Sequence, residues 1–264
     1  MAEQIQGRIR RRRVYSERKD ILNIYNDAEL VKRYRLDRAA ILLMTDFVRD
    51  PITPPTGRSQ AIPAELKVIT TLRYLVTGKM QLCSGDDIGM TQQSVSKVIT
   101  QTLDALTAPP APFIARCIKF PQLQDEIRQR QAKFREILFP GVFPGVVGAI
   151  DGTHIRIVAP REHEAEYINR KNYHSLNIQV VFDARYRILD VVSKWPGSVH
   201  DSRIWNECGL KRGFENGSVP GSCHLIRDIG YPCQPWLLTP YLEPRTEAQE
   251  AYNRYSVAYC FTFC

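Results

Sequence analysis

The chain has 264 residues, is 44% hydrophobic and 24% charged, and carries a formal net charge of +8. This composition fits a folded protein of one or two domains and excludes a disordered or low-complexity chain. No apolar run approaches the roughly 18 residues a membrane span needs, and Met1 to Lys19 lacks the apolar stretch of a secretory leader, so export is not expected.

The seven cysteines (83, 117, 208, 223, 233, 260 and 264) are odd in number and form no CxxC pair, which points to reduced thiols inside a cell. Without CxxC or HxxxH spacing, a zinc site is disfavoured. The positive charge suits a polyanionic partner, although a solvated basic surface accounts for it equally well. Arg8, Arg10, Arg11, Arg12, Arg13, Arg18 and Lys19 concentrate it in an arm over residues 1–25, fit for a nuclear address or for phosphate binding.

Residues 26–115 read as a helical domain. Leu30, Val31 and Tyr34, then Ile41, Leu42, Met44 and Phe47, suit two short helices, with Asp37 capping the second. Four prolines between Pro51 and Pro63 mark a loop. Leu66, Ile69, Leu72, Leu75 and Val76 then share one helical face, and Gly78 stands where that helix should end. Asp86 to Met90 precede Thr91, a natural N-cap, and an apolar stripe of Val95, Val98, Ile99, Leu103 and Leu106 follows. A short helix, a tight turn and an amphipathic helix match a helix-turn-helix. That unit would present Gln92, Gln93, Ser94, Ser96 and Lys97 to base edges and phosphates. The same spacing fits an ordinary helical hairpin with a polar outer face.

Over 116–140 a linker helix is expected, with Leu123, Ile127, Phe134, Ile137 and Leu138 inward. From 141 to 264 the period changes. Val146 to Ile150 is an apolar run ending in Asp151-Gly152, the pattern of a buried strand that delivers a carboxylate. Ser175–Phe182 and Ile188–Val192 read as strands around a turn at 183–186. Asp201 to Trp205 suits a helix capped by Ser198 or Asp201, and Cys223 to Ile226 is a further strand before Asp228. The order β-β-β-α-β gives a mixed α/β domain.

Two strand-end aspartates in low dielectric call for a partner, and a hard divalent cation is the natural one. Magnesium or manganese between them could activate water and stabilise the leaving oxygen of a phosphodiester. Asp201 could be a third ligand. Turn chemistry for Asp151 and Asp228, and helix capping for Asp201, are the plainer alternatives.

Several segments carry a more specific signal. Gly148-Ala149-Ile150-Asp151-Gly152-Thr153-His154 resembles the first-aspartate motif of the PIF/Harbinger-class DDE transposases. Asn169-Arg170-Lys171 with His174-Ser175-Leu176-Asn177, and Trp195-Pro196-Gly197-Ser198-Val199-His200-Asp201-Ser202, resemble further segments of the same family. Asp228-Ile229-Gly230-Tyr231, Trp236 to Pro240, and Tyr252-Asn253-Arg254 complete the ordered set. The resemblance implies an RNase H-like core behind a helix-turn-helix-bearing domain, and DNA cleavage that depends on magnesium or manganese. It makes Asp151 and Asp228 the core catalytic metal ligands and Asp201 an additional one. Arg170 and Lys171 become candidates for phosphate contact, and His154 for orienting a neighbouring carboxylate; Asn169, His174 and His200 match motif positions near the site. It further implies residence in the nucleus, with the cytoplasm as a second compartment, and a Myb-like partner protein that assists import and targeting.

Two departures stand out. Arg227 occupies the place where the family has glycine before its second core aspartate. After Tyr252-Asn253-Arg254 the family continues into a helix bearing a catalytic glutamate, whereas here residues 255–264 are largely apolar and no glutamate follows Glu250. Impaired cleavage is therefore expected. The competing expectations are a non-catalytic DNA-binding regulator that works through the helical domain, and a folded interaction module.

Overall fold

A computed structural model describes residues 17–54, 56, 61–109, 112–137, 144–227, 231 and 233–254. Most of the basic arm, Asp228 and the apolar residues 255–264 lie outside the described residues. Two compact units are present, residues 1–117 and 118–264. No described helix is long and apolar enough to cross a membrane.

The first unit is helical: α1 (Ile21–Ile24), α2 (Asp27–Tyr34), α3 (Arg38–Ile52), α4 (Ala64–Thr77), α5 (Gln81–Ile88), α6 (Gln92–Thr107) and α7 (Pro112–Cys117). Local chemistry sets the starts and stops. Asn26 and Glu29 form a reciprocal capping box on α2, and Asp37 accepts from the Ala40 N–H at the head of α3. Gly78 ends α4 in the left-handed conformation that glycine reaches without steric penalty. The centre is α4, which packs against α2, α3, α5 and α6. Leu30, Ile41, Val48, Val68, Ile69 and Leu72 make the core. Leu75, placed inward by the apolar pattern, is instead 56% exposed, because the last turn of α4 runs beyond that core.

Because α4 is enclosed on several sides, polar groups are buried with it. The hydroxyls of Thr70 and Thr71 donate to carbonyls one turn back, those of Leu66 and Lys67. Lys67 is 5% exposed, and its Nζ donates to the Ile52 carbonyl at 2.6 Å and to Gln101 Oε1 at 3.0 Å. Burial holds this ammonium below the usual lysine range, with the nearby charge of Lys97 adding to the effect. The corner between α5 and α6 is tight: Gly89 adopts φ of 71°, and Thr91 accepts from the Ser94 N–H to open α6.

The second unit is α/β. Helix α8 (Gln124–Ile137) precedes β1 (Val146–Arg156), β2 (Ser175–Phe182) and β3 (Ile188–Pro196). Helices α9 (Asp201–Glu207) and α10 (Gly209–Glu215) follow, then β4 (His224–Ile226) and β5 (Leu237–Leu238). The sheet order is β3-β2-β1-β4-β5. Pairing is antiparallel from β1 through β3 and parallel from β1 through β5. The first half of β1, Val146 to Ile150, is fully buried, which explains its unbroken apolar run.

Strand alternation divides the unit's core between two faces. On one, Ile150 and Val181 pack with Trp205, Leu210 and Phe214 of α9 and α10. On the other, Ala149 and Phe182 pack with Phe134 of α8 and Tyr252 of the helical residues 247–254. Helix α8, expected as a linker, is thus part of the α/β unit: Phe134 and Ile127 are fully buried, and the helix lies on β1. Leu123, expected inward, is 66% exposed ahead of the first turn.

Candidate active site

The site grows out of the second half of β1, where pairing with β4 has ended at Ala149 and pairing with β2 continues to Arg156. Asp151 is half-buried there, opposite Val180. The pleat turns it to the face it shares with Ala149 and Phe134. Gly152 belongs to the other face, and the Asp201 carboxylate fills the space a side chain would occupy there. A Cβ on Gly152 would stand 2.6 Å from Asp201 Oδ1.

Asp201, the first residue of α9, is held by Asn177 of β2, whose Nδ2 donates to Asp201 Oδ1 at 2.7 Å and to the Val199 carbonyl at 2.8 Å. Neither Asp201 nor Ser198 caps the helix. The N-cap is His200, without a side-chain bond. Asp201, offered by the sequence as an additional metal ligand, approaches β1 on the Gly152 side. Continuous β1–β2 register from Ala149 to Arg156 sends neighbouring residues to opposite faces.

Beside Gly152, His154 Nδ1 lies 3.1 Å from Ser175 Oγ, and Asn169 Nδ2 donates to the same hydroxyl at 2.8 Å. Asn169 Oδ1 accepts from the backbone N–H groups of Lys171 and Tyr173. This buried asparagine folds the loop so that Arg170 and Lys171 stand exposed on the rim. Burial lowers the His154 pKa and leaves the ring neutral at pH 7. Arg170 and Lys171 push the same way, and Asp201 opposes them. Gly197 admits the Ser175 hydroxyl, which would lie 2.3 Å from a Cβ there. At the rim Lys194 and Arg203 each lie over the Trp195 ring, 5.1 and 5.4 Å from its centroid. His174 pairs with Glu164 at 2.9 Å, and His200 is exposed.

The fold therefore gathers His154, Asn169, Arg170, Lys171, Asn177 and Asp201, segments spread over almost 50 positions, around one stretch of β1. Sequence reasoning named these motifs but not the roles of Ser175, Asn177 and Gly197. The signal for Ser175 and Asn177 was a row of polar residues, Ser175, Asn177 and Gln179, at alternate positions of one strand. Among the described residues no group of three His, Cys, Asp or Glu side chains is placed to hold a metal ion. Asp228 is not among them. Ile226 pairs with Ala149 in register, and each stands two positions before an aspartate. In the first unit, Gln92, Gln93 and Lys97 are exposed on α6, Ser96 is half-buried, and the Ser94 hydroxyl bonds to Thr91 Oγ1 at 2.9 Å.

Residues 150–259 match the DDE superfamily endonuclease family. HARBI1 of Rattus norvegicus, a nuclease by name, is 33% identical over 233 residues, covering 88% of this chain and 64% of its own length. The Homo sapiens protein of the same name is 32% identical with the same coverage. An Arabidopsis thaliana protein named ALP1-like is 28% identical over 85% of this chain and 56% of its own. The chain thus spans about 64% of the length of the HARBI1 relatives, and no solved structure matches it. An endonuclease match that opens one residue before Asp151, joined to similarity along nearly the whole chain, supports the resemblance of this chain to the PIF/Harbinger-class DDE transposases.

Proposed function

We propose that the second unit is an RNase H-like endonuclease domain that hydrolyses DNA phosphodiesters with magnesium or manganese. Asp151 and Asp228 would hold the metal. The observation that carries this reading is the parallel pairing of β1 with β4 at Ala149 and Ile226, two positions before the respective aspartates. Both are hard oxygen donors of the kind these cations take. When bound, the metal supplies a more acidic water and charge stabilisation for the leaving oxygen. The chain's own groups do the remaining work. Arg170 and Lys171 take backbone phosphate at the rim, where each phosphate favours positive charge. Asn177 fixes Asp201, which keeps the head of α9 against β1 and sets the charge around neutral His154.

In this reading the first unit binds DNA through the α5–α6 corner as a helix-turn-helix. Gln92, Gln93 and Lys97 make the contacts, while Ser94 serves the cap and Ser96 supports from the side. The basic arm favours the nucleus, and the Myb-like partner rests on the family resemblance alone. The test is nicking of supercoiled plasmid by the purified chain with manganese. Nicking should disappear in EDTA and in Asp151→Asn; unchanged nicking by that variant would remove Asp151 from the reaction.

A second reading, DNA binding without cleavage, is favoured by Arg227. It is 1% exposed and lies over the Tyr231 ring, one position before Asp228. A permanent positive charge so close works against a bound cation. This reading predicts no nicking by the unaltered chain, and duplex affinity that survives replacement of Asp151, Asp201 and Asp228 together.

A further inference from the structure

Within the second unit a cavity of about 370 Å³ opens between α8 and the turn that joins β2 to β3. Arg130 and Lys133 line it from the helix, and Arg185 and Arg187 from the turn, with Gln129 at the wall. Among the described residues Asp183 is the only acidic one in the lining, and its side chain is 3% exposed. Its charge is already engaged. Oδ2 accepts from Arg187 Nε at 2.8 Å and pairs with Arg187 Nη2 at 2.6 Å, while Oδ1 takes the backbone N–H groups of Arg185 and Arg187. These bonds outweigh the effect of burial and hold Asp183 below the usual carboxylate range. The carboxylate thus serves to aim Arg187 and to anchor the turn; Lys133 pairs with Glu136 at 2.6 Å, and Arg185 and the Nε of Arg130 are left to the cavity.

Arg130 gives a second, independent sign. Its Nε is buried and makes no hydrogen bond among the described residues. The Asp183 oxygen lies 3.9 Å away, beyond hydrogen-bond length. A buried guanidinium N–H beside an open, strongly cationic cavity is matched by a planar or tetrahedral oxyanion, which guanidinium groups bind with directed pairs of hydrogen bonds. Metal cations are excluded by charge.

We infer that this cavity is a phosphate-binding site and that it takes a backbone phosphate of the DNA bound by the second unit. The site lies on the sheet face that carries α8, Ala149 and Asp151, so one duplex can follow that face from the turn toward Asp151. The assignment of the phosphate to DNA rests on the nuclease reading; the anion site itself does not.

The experiment compares Arg185→Glu with Arg212→Glu, two exposed arginines of the same unit, the second on α10 across the sheet. Binding of a fluorescein-labelled duplex to the full chain is followed in EDTA over a series of salt concentrations. Arg185→Glu should weaken binding at least tenfold, and should flatten the dependence of log affinity on log salt by the equivalent of one neutralised phosphate, ~0.9. Arg212→Glu should change affinity less than twofold. Equal effects of the two variants would overturn the inference. Calorimetric titration with inorganic phosphate separates the two sources of the anion. Phosphate binding that is abolished by Arg185→Glu, beside unmoved duplex affinity, would assign the cavity to free phosphate and overturn the DNA contact. Because EDTA removes cleavage from the measurement, failure of the nuclease reading would appear separately, as unchanged nicking by Asp151→Asn.

Discussion

The Asp201 carboxylate occupies the place where residue 152 would carry a side chain, 2.6 Å from an ideal Cβ on Gly152. The glycine in the Asp151-Gly152 pair is therefore required by packing against α9, since β1 is regular there and no turn is present. Gly152→Ala should push Asp201 off Asn177 and destabilise the second unit by about 1–3 kcal/mol, the usual range for overfilling a packed site. Urea denaturation reads the loss. Asp201→Ala in the same chain makes room, so the double variant should be more stable than the sum of the single changes predicts. Strict additivity would show that the two residues do not meet.

A second prediction concerns Asp183. Burial raises the pKa of this carboxyl, but the bonds from Arg187 and from two backbone N–H groups lower it further, to a net value below the ordinary 3.8. The unfolded chain therefore takes up the proton first as pH falls, and stability rises with pH across that window. The contribution is fully present above 3.8 and fades as pH drops through the folded-state value. At pH 7 Asp183→Asn should lose roughly 1.5–3 kcal/mol, the range for hydrogen bonds to a charged group. The gap from the unaltered chain should close at pH values well below 3.8. A gap that stays constant with pH would mean the carboxylate's charge is irrelevant to the turn.

How far the sequence announced this molecule can be judged from particular residues. Caps were legible because their chemistry is local: Asp37, Thr91 and Gly78 do what their types and positions suggest. The strand Ser175–Phe182 was legible for a similar reason, since its alternation is regular. The phase of β1 was not. Val146 to Ile150 is buried on both faces, so its apolar run carries no record of which residue points where. The assignment of Asp151 and Gly152 to opposite sides of the strand emerged only with the β2 register. Strand β5 is two residues long and exists only through its pairing with β4. Trp195, read as the start of a motif, belongs to the end of β3, which continues past Val192 to Pro196.

The proposed DNA face of α6 separates from its stability. Lys97 and Gln93 are exposed, so Lys97→Ala with Gln93→Ala should leave the melting temperature within about a degree or two, as surface changes generally do. Duplex affinity should fall several-fold, and the salt dependence should flatten by ~0.9 because one phosphate is no longer neutralised. Thr91→Ala should behave in the opposite way. It removes the acceptor for the Ser94 N–H, lowering stability by about 1 kcal/mol, with little change in affinity under conditions where the unit stays folded. Anisotropy and thermal melts on the same samples distinguish the two. If Lys97 and Gln93 can be removed without weakening binding, the α5–α6 corner is an ordinary helical hairpin.

Two glycines of the first unit provide a last comparison, because each is glycine for a different reason. Gly78 has φ of 58° with nothing within 4 Å of where a Cβ would stand, so Gly78→Ala faces only left-handed strain, about 1–2 kcal/mol. Gly85 lies inside α5, and a Cβ there would stand 2.3 Å from the Met90 carbonyl oxygen. Met90 also donates its N–H to the Gly85 carbonyl at 2.9 Å, so that oxygen belongs to the turn that sets α5 against α6. A backbone atom held by its own hydrogen-bonded turn yields less readily than a flexible side chain. Gly85→Ala should therefore lie at or above the upper end of the ~1–3 kcal/mol cost of overpacking. It should also weaken duplex binding by displacing the head of α6. Gly78→Ala should lose less stability and leave binding intact. Were Gly78→Ala the more damaging of the two in denaturation, close approach at the corner would not be what requires glycine at position 85.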